Sequence, residues 1–249
     1  PAEGYAVNLG PETGPLTVDI TGEVTNGDIT VPVFNNDQPY TVGFNLVGNP
    51  YPSPVDWNLI DALNTNIDNA VYYFSNSDID QYGGTYVTYI NGVSSDGMAT
   101  NIIPSMQGFF IHVTDGVFPV EGSLVMNNSV RVNNLDHPFI KSAEADQTKL
   151  LRPSASFSTS PETPDYTVVY FDEQATPEFD GQFDALKLLN TDTNVPSLFS
   201  VTPAASRLSI NGMPPPGGKT LLVPLGIVTR ADGNIIIRVC ALDPSLAAM

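Results

Sequence analysis

Leu16-Thr17-Val18-Asp19-Ile20 and Ile29-Thr30-Val31-Pro32-Val33-Phe34, with Asn26-Gly27-Asp28 between them, decide the fold. Apolar residues recur at every second position in both runs, the period of a strand with one buried and one wet face. Asn26 and Gly27 tolerate positive φ, so the segment between the runs reads as a hairpin. Tyr5-Ala6-Val7-Asn8-Leu9 repeats the alternation, and Pro11 to Pro15 break the chain after it. Further strands are expected at 40–47, 70–74, 85–90, 108–113 and 123–132, with Asn91-Gly92 closing a hairpin. In the second half they are expected at 150–157, 166–171, 186–189, 198–201, 208–210, 220–225 and 234–241. Met213-Pro214-Pro215-Pro216-Gly217-Gly218 reads as a surface loop, because proline cannot donate to a ladder.

One short segment breaks this pattern. Asp56-Trp57-Asn58-Leu59-Ile60-Asp61-Ala62-Leu63 suits two helical turns with Asp56 as N-cap, and puts Trp57, Ile60 and Leu63 on one side. Trp57, the sole tryptophan, reads as a core plug, with a sugar-stacking platform as the other reading. The expected fold class is all-β: two β-sandwich domains in tandem, jelly-roll or immunoglobulin-like, with one short helix after a proline-rich corner. The polar, aperiodic stretch 141–149 is the expected linker, between an N-terminal domain over 1–140 and a C-terminal domain over 150–249.

Composition narrows function by exclusion. The 249 residues carry 27 acidic and 9 basic side chains, a formal charge of −18, which opposes phosphate backbones and anionic bilayers as partners. No nucleic-acid role and no membrane insertion are therefore expected, and no apolar run approaches the roughly 18 residues of a spanning helix. The first basic residue is Arg131, so the first 130 residues must hold together by apolar burial and hydrogen bonds without internal ion pairs to Lys or Arg. Cys240, the lone cysteine, cannot form an internal disulfide or a thiolate metal site, and its apolar neighbours suggest a small buried hydrophobe. Pro1-Ala2-Glu3-Gly4-Tyr5 has neither an initiator Met nor a signal-like segment, which reads as a processed chain.

Asn45-Leu46-Val47-Gly48-Asn49-Pro50-Tyr51-Pro52-Ser53-Pro54-Val55-Asp56-Trp57 resembles a recurring region of large secreted and surface proteins of the Bacteroidota exported by type IX secretion, where it commonly lies near the C-terminal sorting domain. Ile103-Pro104-Ser105-Met106-Gln107-Gly108-Phe109-Phe110, Met126 to Arg131, Val169 to Thr176, Asp184 to Leu188 and Val223-Pro224-Leu225-Gly226 extend the resemblance over about residues 40 to 235. It implies secretion and an extracellular or outer cell-surface location, with an accessory, surface or assembly role, and it carries no catalytic residues. Physically, Pro50, Pro52 and Pro54 lock an extended corner after a strand that ends near Asn49, and Asp56 then starts the helix that places Trp57.

The sequence gives little chemistry to weigh. His112 and His137 are the only histidines and no G-x-S-x-G elbow occurs, so no enzyme is expected. His112, within a strand, is expected to face solvent or a satisfied partner. Calcium is the inorganic candidate, with Asp78 and Asp80 in one loop and Asp172, Asp180 and Asp184 in another offering oxygen ligands to a hard cation. Two functions remain open. The first is a non-catalytic adhesive or structural protein that assembles head-to-tail into an extracellular fibre by strand exchange, with Tyr5, Val7 and Leu9 on the assembly strand and other copies or surface proteins as partners. The alternative is a carbohydrate-binding accessory module of a polysaccharide-degrading protein, with glycans as partners and Tyr72, Tyr73, Tyr82, Tyr86 and Tyr89 as stacking candidates.

Overall fold

The computed structural model describes residues 2–5, 21–39, 41–77, 82–133 and 149–246. The fold is all-β, built from several sheets. Strands in the first part of the chain are β1 (Ile29–Asn35), β2 (Phe44–Gly48), β3 (Val55–Asp56), β4 (Ile67–Asn76), β5 (Gly84–Ile90), β6 (Val93–Ser94), β7 (Ile102–Ile103), β8 (Gly108–Val113) and β9 (Val120–Met126), with helix α1 (Trp57–Asp61) after β3. The rest are β10 (Leu150–Phe157), β11 (Asp165–Tyr166), β12 (Val168–Phe171), β13 (Ala185–Leu186), β14 (Ser197–Val201), β15 (Arg207–Met213), β16 (Leu225–Val228) and β17 (Ile235–Leu242).

These elements form two compact units, one from residues 1–67 and 102–139, the other from 68–101 and 140–249. The division differs from the tandem order expected from sequence, because residues 68–101 group with the second half. Strand pairing is chosen by faces that fit, and no local signal in 68–101 reports a partner far along the chain. The expected linker, apart from Lys149, lies outside the described residues, as do the runs 6–20.

In the first unit β1 pairs antiparallel with β9, from Ile29 opposite Met126 to Asn35 opposite Val120. Val31, Val33 and Asn35 are buried, while Thr30, Pro32 and Phe34 face out, so the alternation read from sequence is the alternation of burial. β2 pairs β8 and β3 pairs β7, both antiparallel. Asp56 caps α1 by accepting from the Asn58 amide at 3.0 Å. Trp57 and Ile60 are buried as expected. Leu63 is not: the helix ends at Asp61, so Leu63 leaves the helical face and is 37% exposed.

In the second unit β4 and β5 form a hairpin arm paired from Val71–Tyr89 to Asn76–Gly84. β5 turns directly into β6 through Asn91 (φ 49°) and Gly92 (φ 85°), the two-residue loop that their tolerance of positive φ anticipated. An eight-stranded sheet runs β11-β10-β12-β15-β14-β16, with β13 on β15 and β17 on β10. Pro153 falls inside β10, where the register with β17 shifts between Arg152 and Pro153, the irregularity a residue without an N–H requires. Leu198, Leu208, Ile210, Val168 and Ala185 are fully buried in this unit. The expected strand at 220–225 begins only at Leu225, following the proline loop. The one expected at 186–189 is reduced to Ala185–Leu186.

Candidate functional site

β17 departs furthest from what its sequence suggests. Ile235-Ile236-Ile237-Arg238-Val239-Cys240-Ala241-Leu242 is the kind of run that fills a sheet interior, yet Ile237 is 55%, Val239 62% and Leu242 43% exposed. Ile237, Val239 and Leu242 stand opposite Ala155, Pro153 and Leu151 and so share one face, with Arg238 opposite Ser154 on the other, and both faces are open to solvent. Among the described residues β17 pairs with β10 alone, from Leu151–Leu242 to Phe157–Ile235. It is an edge strand, and its outer N–H and C=O groups are a template for another strand. Cys240, expected to be buried, is exposed, and its thiol lies 3.1 Å from the Ser154 hydroxyl across the pair. The reason is position: an edge strand has neighbours on one side only, which a run of apolar residues cannot report. Leu222 (88% exposed) and Leu225 (44%) add apolar surface to the same unit.

Residues 2–4, just ahead of the expected assembly strand Tyr5–Leu9, pair within their own chain. Glu3 bridges Val47, Gly4 donates to the Leu46 carbonyl, and Gly48 donates to the Ala2 carbonyl, so residues 2–4 lie along β2 of their own chain. Tyr5 is exposed and donates its hydroxyl to Glu3 at 2.6 Å. Val7 and Leu9 lie outside the described residues.

The proline corner is built as the sequence implies. Pro50, Pro52 and Pro54 provide no N–H, and Asn49, buried at 2% exposure, serves the corner with its side chain. Its Nδ2 donates to the carbonyls of Ser53, Ile103 and Pro104, and its Oδ1 accepts from the Tyr51 amide. Tyr51 is fully buried at the ring and donates its hydroxyl to the Gly27 carbonyl, with the Arg131 guanidinium over the ring at 5.3 Å. Trp57 meets Phe109 edge-on at a centroid distance of 6.0 Å. This site is structural.

Of the candidate cation ligands, only Asp172, Asp180 and Asp184 lie among the described residues. Asp78 and Asp80 lie outside the described residues, and among the described residues no group of three His, Cys, Asp or Glu side chains could hold a metal ion. Asp172 and Asp180 accept from the amides of Gln174 and Gln182, two residues on, the geometry of acidic turns. Asp184 is buried, and its two oxygens accept from the amides of Asp180 and Gly212, each at 2.7 Å. Burial pushes its carboxyl up to about 7, against the pull of those two amides. In the first unit burial likewise pushes Asp61, the last residue of α1, up to about 6.

These two carboxyls fix the sign of a pH dependence. A carboxyl whose folded value lies above its unfolded one, about 4, binds more protons folded than unfolded, so stability falls as pH rises from about 4 through the folded value. The melting temperature should therefore drop between about pH 4 and pH 7, and Asp184→Asn should flatten that slope. A parent protein equally stable across this window would contradict the assignment.

His112 is buried, packs on Phe44 at 4.9 Å, and its Nε2 lies 3.0 Å from the Val42 carbonyl, a structural partner. His137 lies outside the described residues. The tyrosines do not build one platform. Tyr72 and Tyr86 share one face of the β4–β5 arm and Tyr73 and Tyr89 the other, as the pairing of Tyr73 with Val87 requires. Tyr72 and Tyr89 are buried, while Tyr82 is exposed.

One pair of functional groups carries no motif in the sequence. Lys187 and Asp165 meet inside the second unit with side-chain exposures of 2% and 6%, Nζ at 2.6 Å from Oδ2 and 2.8 Å from Oδ1. The available signal was a single cation, Lys187, set among Leu186, Leu188 and Leu189.

No curated protein and no solved structure matches the chain. A family model described as a domain of unknown function, DUF8693, matches residues 1–248. Because that match spans nearly the whole sequence, the chain belongs to the DUF8693 family.

Proposed function

We propose that this domain is a non-catalytic structural or adhesive module of the cell exterior that associates through strand addition at the β17 edge. The observation that carries the reading is the exposure of Ile237, Val239 and Leu242 on an edge strand that, among the described residues, pairs with β10 alone. Soluble monomers blunt such edges with Lys, Pro or bulges, and β17 carries only Arg238 and the one-residue register shift opposite Arg152 and Pro153. An extended segment laid beside it gains main-chain hydrogen bonds and covers the apolar side chains of Ile237, Val239 and Leu242. The acidic composition, the resemblance of the proline corner to secreted surface proteins, and buried histidine and aspartate side chains that serve structural partners all support a role without chemistry.

Sedimentation and electron microscopy of the whole chain test this. The parent should form dimers or polymers as concentration rises, and the double variant Ile237→Lys/Val239→Lys should remain monomeric with an unchanged melting temperature. Deleting residues 1–15 separates two geometries. Loss of polymers would identify the Tyr5–Leu9 segment as the strand donated head-to-tail, and persistence of dimers would identify two β17 strands pairing about a two-fold axis. A parent that stays monomeric at high concentration would defeat the proposal.

A further inference from the structure

We propose that Lys187 and Asp165 become joined by an amide bond, an internal covalent crosslink within the second unit. Lys187 Nζ faces both oxygens of the Asp165 carboxylate, at 2.8 and 2.6 Å, and its next polar neighbour is the Tyr166 carbonyl at 3.5 Å. A nitrogen held against both oxygens of a carboxylate is held against its carbon. Oδ2 also accepts from the Leu198 amide at 2.6 Å, and Leu198 is itself fully buried. Nucleophile, carbonyl carbon and a fixed N–H donor thus meet in a site closed to water, where proximity replaces a bimolecular encounter.

The energetics point the same way. Burying an ammonium and a carboxylate is costly, and their attraction offsets that cost only when geometry and hydrogen bonding are complete. Condensation removes both charges. The Nζ–Cγ bond forms, the Cγ–Oδ1 bond breaks, and Oδ1 leaves as water with two protons from the ammonium. Oδ2 remains as the amide oxygen, still accepting from Leu198, whose N–H stabilises the charge that develops there during addition. Nothing is oxidised or reduced, and no co-reactant is consumed. Water exclusion also disfavours the reverse reaction. Asp165 lies in β11 and Lys187 just after β13, which pairs with β15, so the bond ties segments that β11 and β13 anchor to different strands of the eight-stranded sheet.

Mass spectrometry of the purified whole chain decides the matter. The expected result is an intact mass one water below that of the sequence. Trypsin should then leave a fragment running from Leu150 to Arg207, also one water light, because acylated Lys187 is not cut and Arg152 is followed by Pro153. Asp165→Ala and Lys187→Arg should each restore the full mass. Aspartate–glycine sequences such as Asp180-Gly181 can lose water as succinimides, but they leave Lys187 open to trypsin, so the fragment separates the two. A parent protein of full mass after prolonged incubation, or one cut normally at Lys187, would overturn the crosslink even if neither variant folds.

Discussion

Replacing Trp57 by alanine should cost the first unit about 3–5 kcal/mol, the range for deleting a large buried aromatic. Trp57 is 1% exposed, meets Phe109 edge-on, and is joined under α1 by Ile60, which has no exposed surface. The helix has only five residues, far below the length at which backbone hydrogen bonds alone sustain a helix in water. Its existence therefore depends on the Asp56 cap and on the side chains it buries, and removing the larger of them opens a cavity and loosens the helix together. Trp57→Phe should recover much of the loss by refilling the space. Since Trp57 is the sole tryptophan, unfolding of the variants has to be followed by circular dichroism in urea. A cost under about 1 kcal/mol for the alanine variant would show that the plug is replaceable and that the corner is held by its hydrogen bonds alone.

What the sequence disclosed and what it concealed divide along a physical line. β1, β5, β8 and β10 fall within a residue of their expected bounds because a strand's period and its turn residues are local properties. The Asp56 cap and the Asn91-Gly92 turn were legible for the same reason. Pairing is not local. β1 lies against β9, with Ile29 opposite Met126, and alternation in β1 says only that some face must be covered, not by which strand. The grouping of 68–101 with the second half has the same origin. β17 shows the opposite failure: its apolar run predicts burial, but burial depends on whether a neighbour exists, and among the described residues no strand lies beyond it. Lys187 and Asp165 stand 22 residues apart in segments whose own patterns give no reason to expect contact. The candidate assembly strand was legible only as alternation at Tyr5, Val7 and Leu9, whereas residues 2–4 already satisfy their backbone groups on β2.

The proline corner supplies the second large effect, and one that separates shape from hydrogen bonding. Three prolines at 50, 52 and 54 leave the segment short of N–H donors while its carbonyls still need partners. Asn49 meets that need, donating to Ser53 at 2.9 Å, Ile103 at 3.2 Å and Pro104 at 2.9 Å while accepting from Tyr51 at 3.0 Å. Asn49→Asp keeps the volume and the acceptor for Tyr51 but turns the donor into an oxygen aimed at three carbonyls. Each lost bond is worth about 1 kcal/mol and the repulsion adds to it, so at neutral pH the variant should lose about 3 kcal/mol or more. Burial among carbonyls favours the protonated acid, which regains one donor, so the folded carboxyl titrates high and the penalty shrinks as pH falls through that value. Asn49→Ala, lacking a titratable group, should be destabilised by an amount that changes with pH only as the parent's stability does. Paired denaturation curves for the two variants, at neutral pH and near pH 5, distinguish the cases. If Asn49→Asp matched the parent at neutral pH, the amide donors would not be what holds the corner, and the pattern of three prolines would be sufficient by itself.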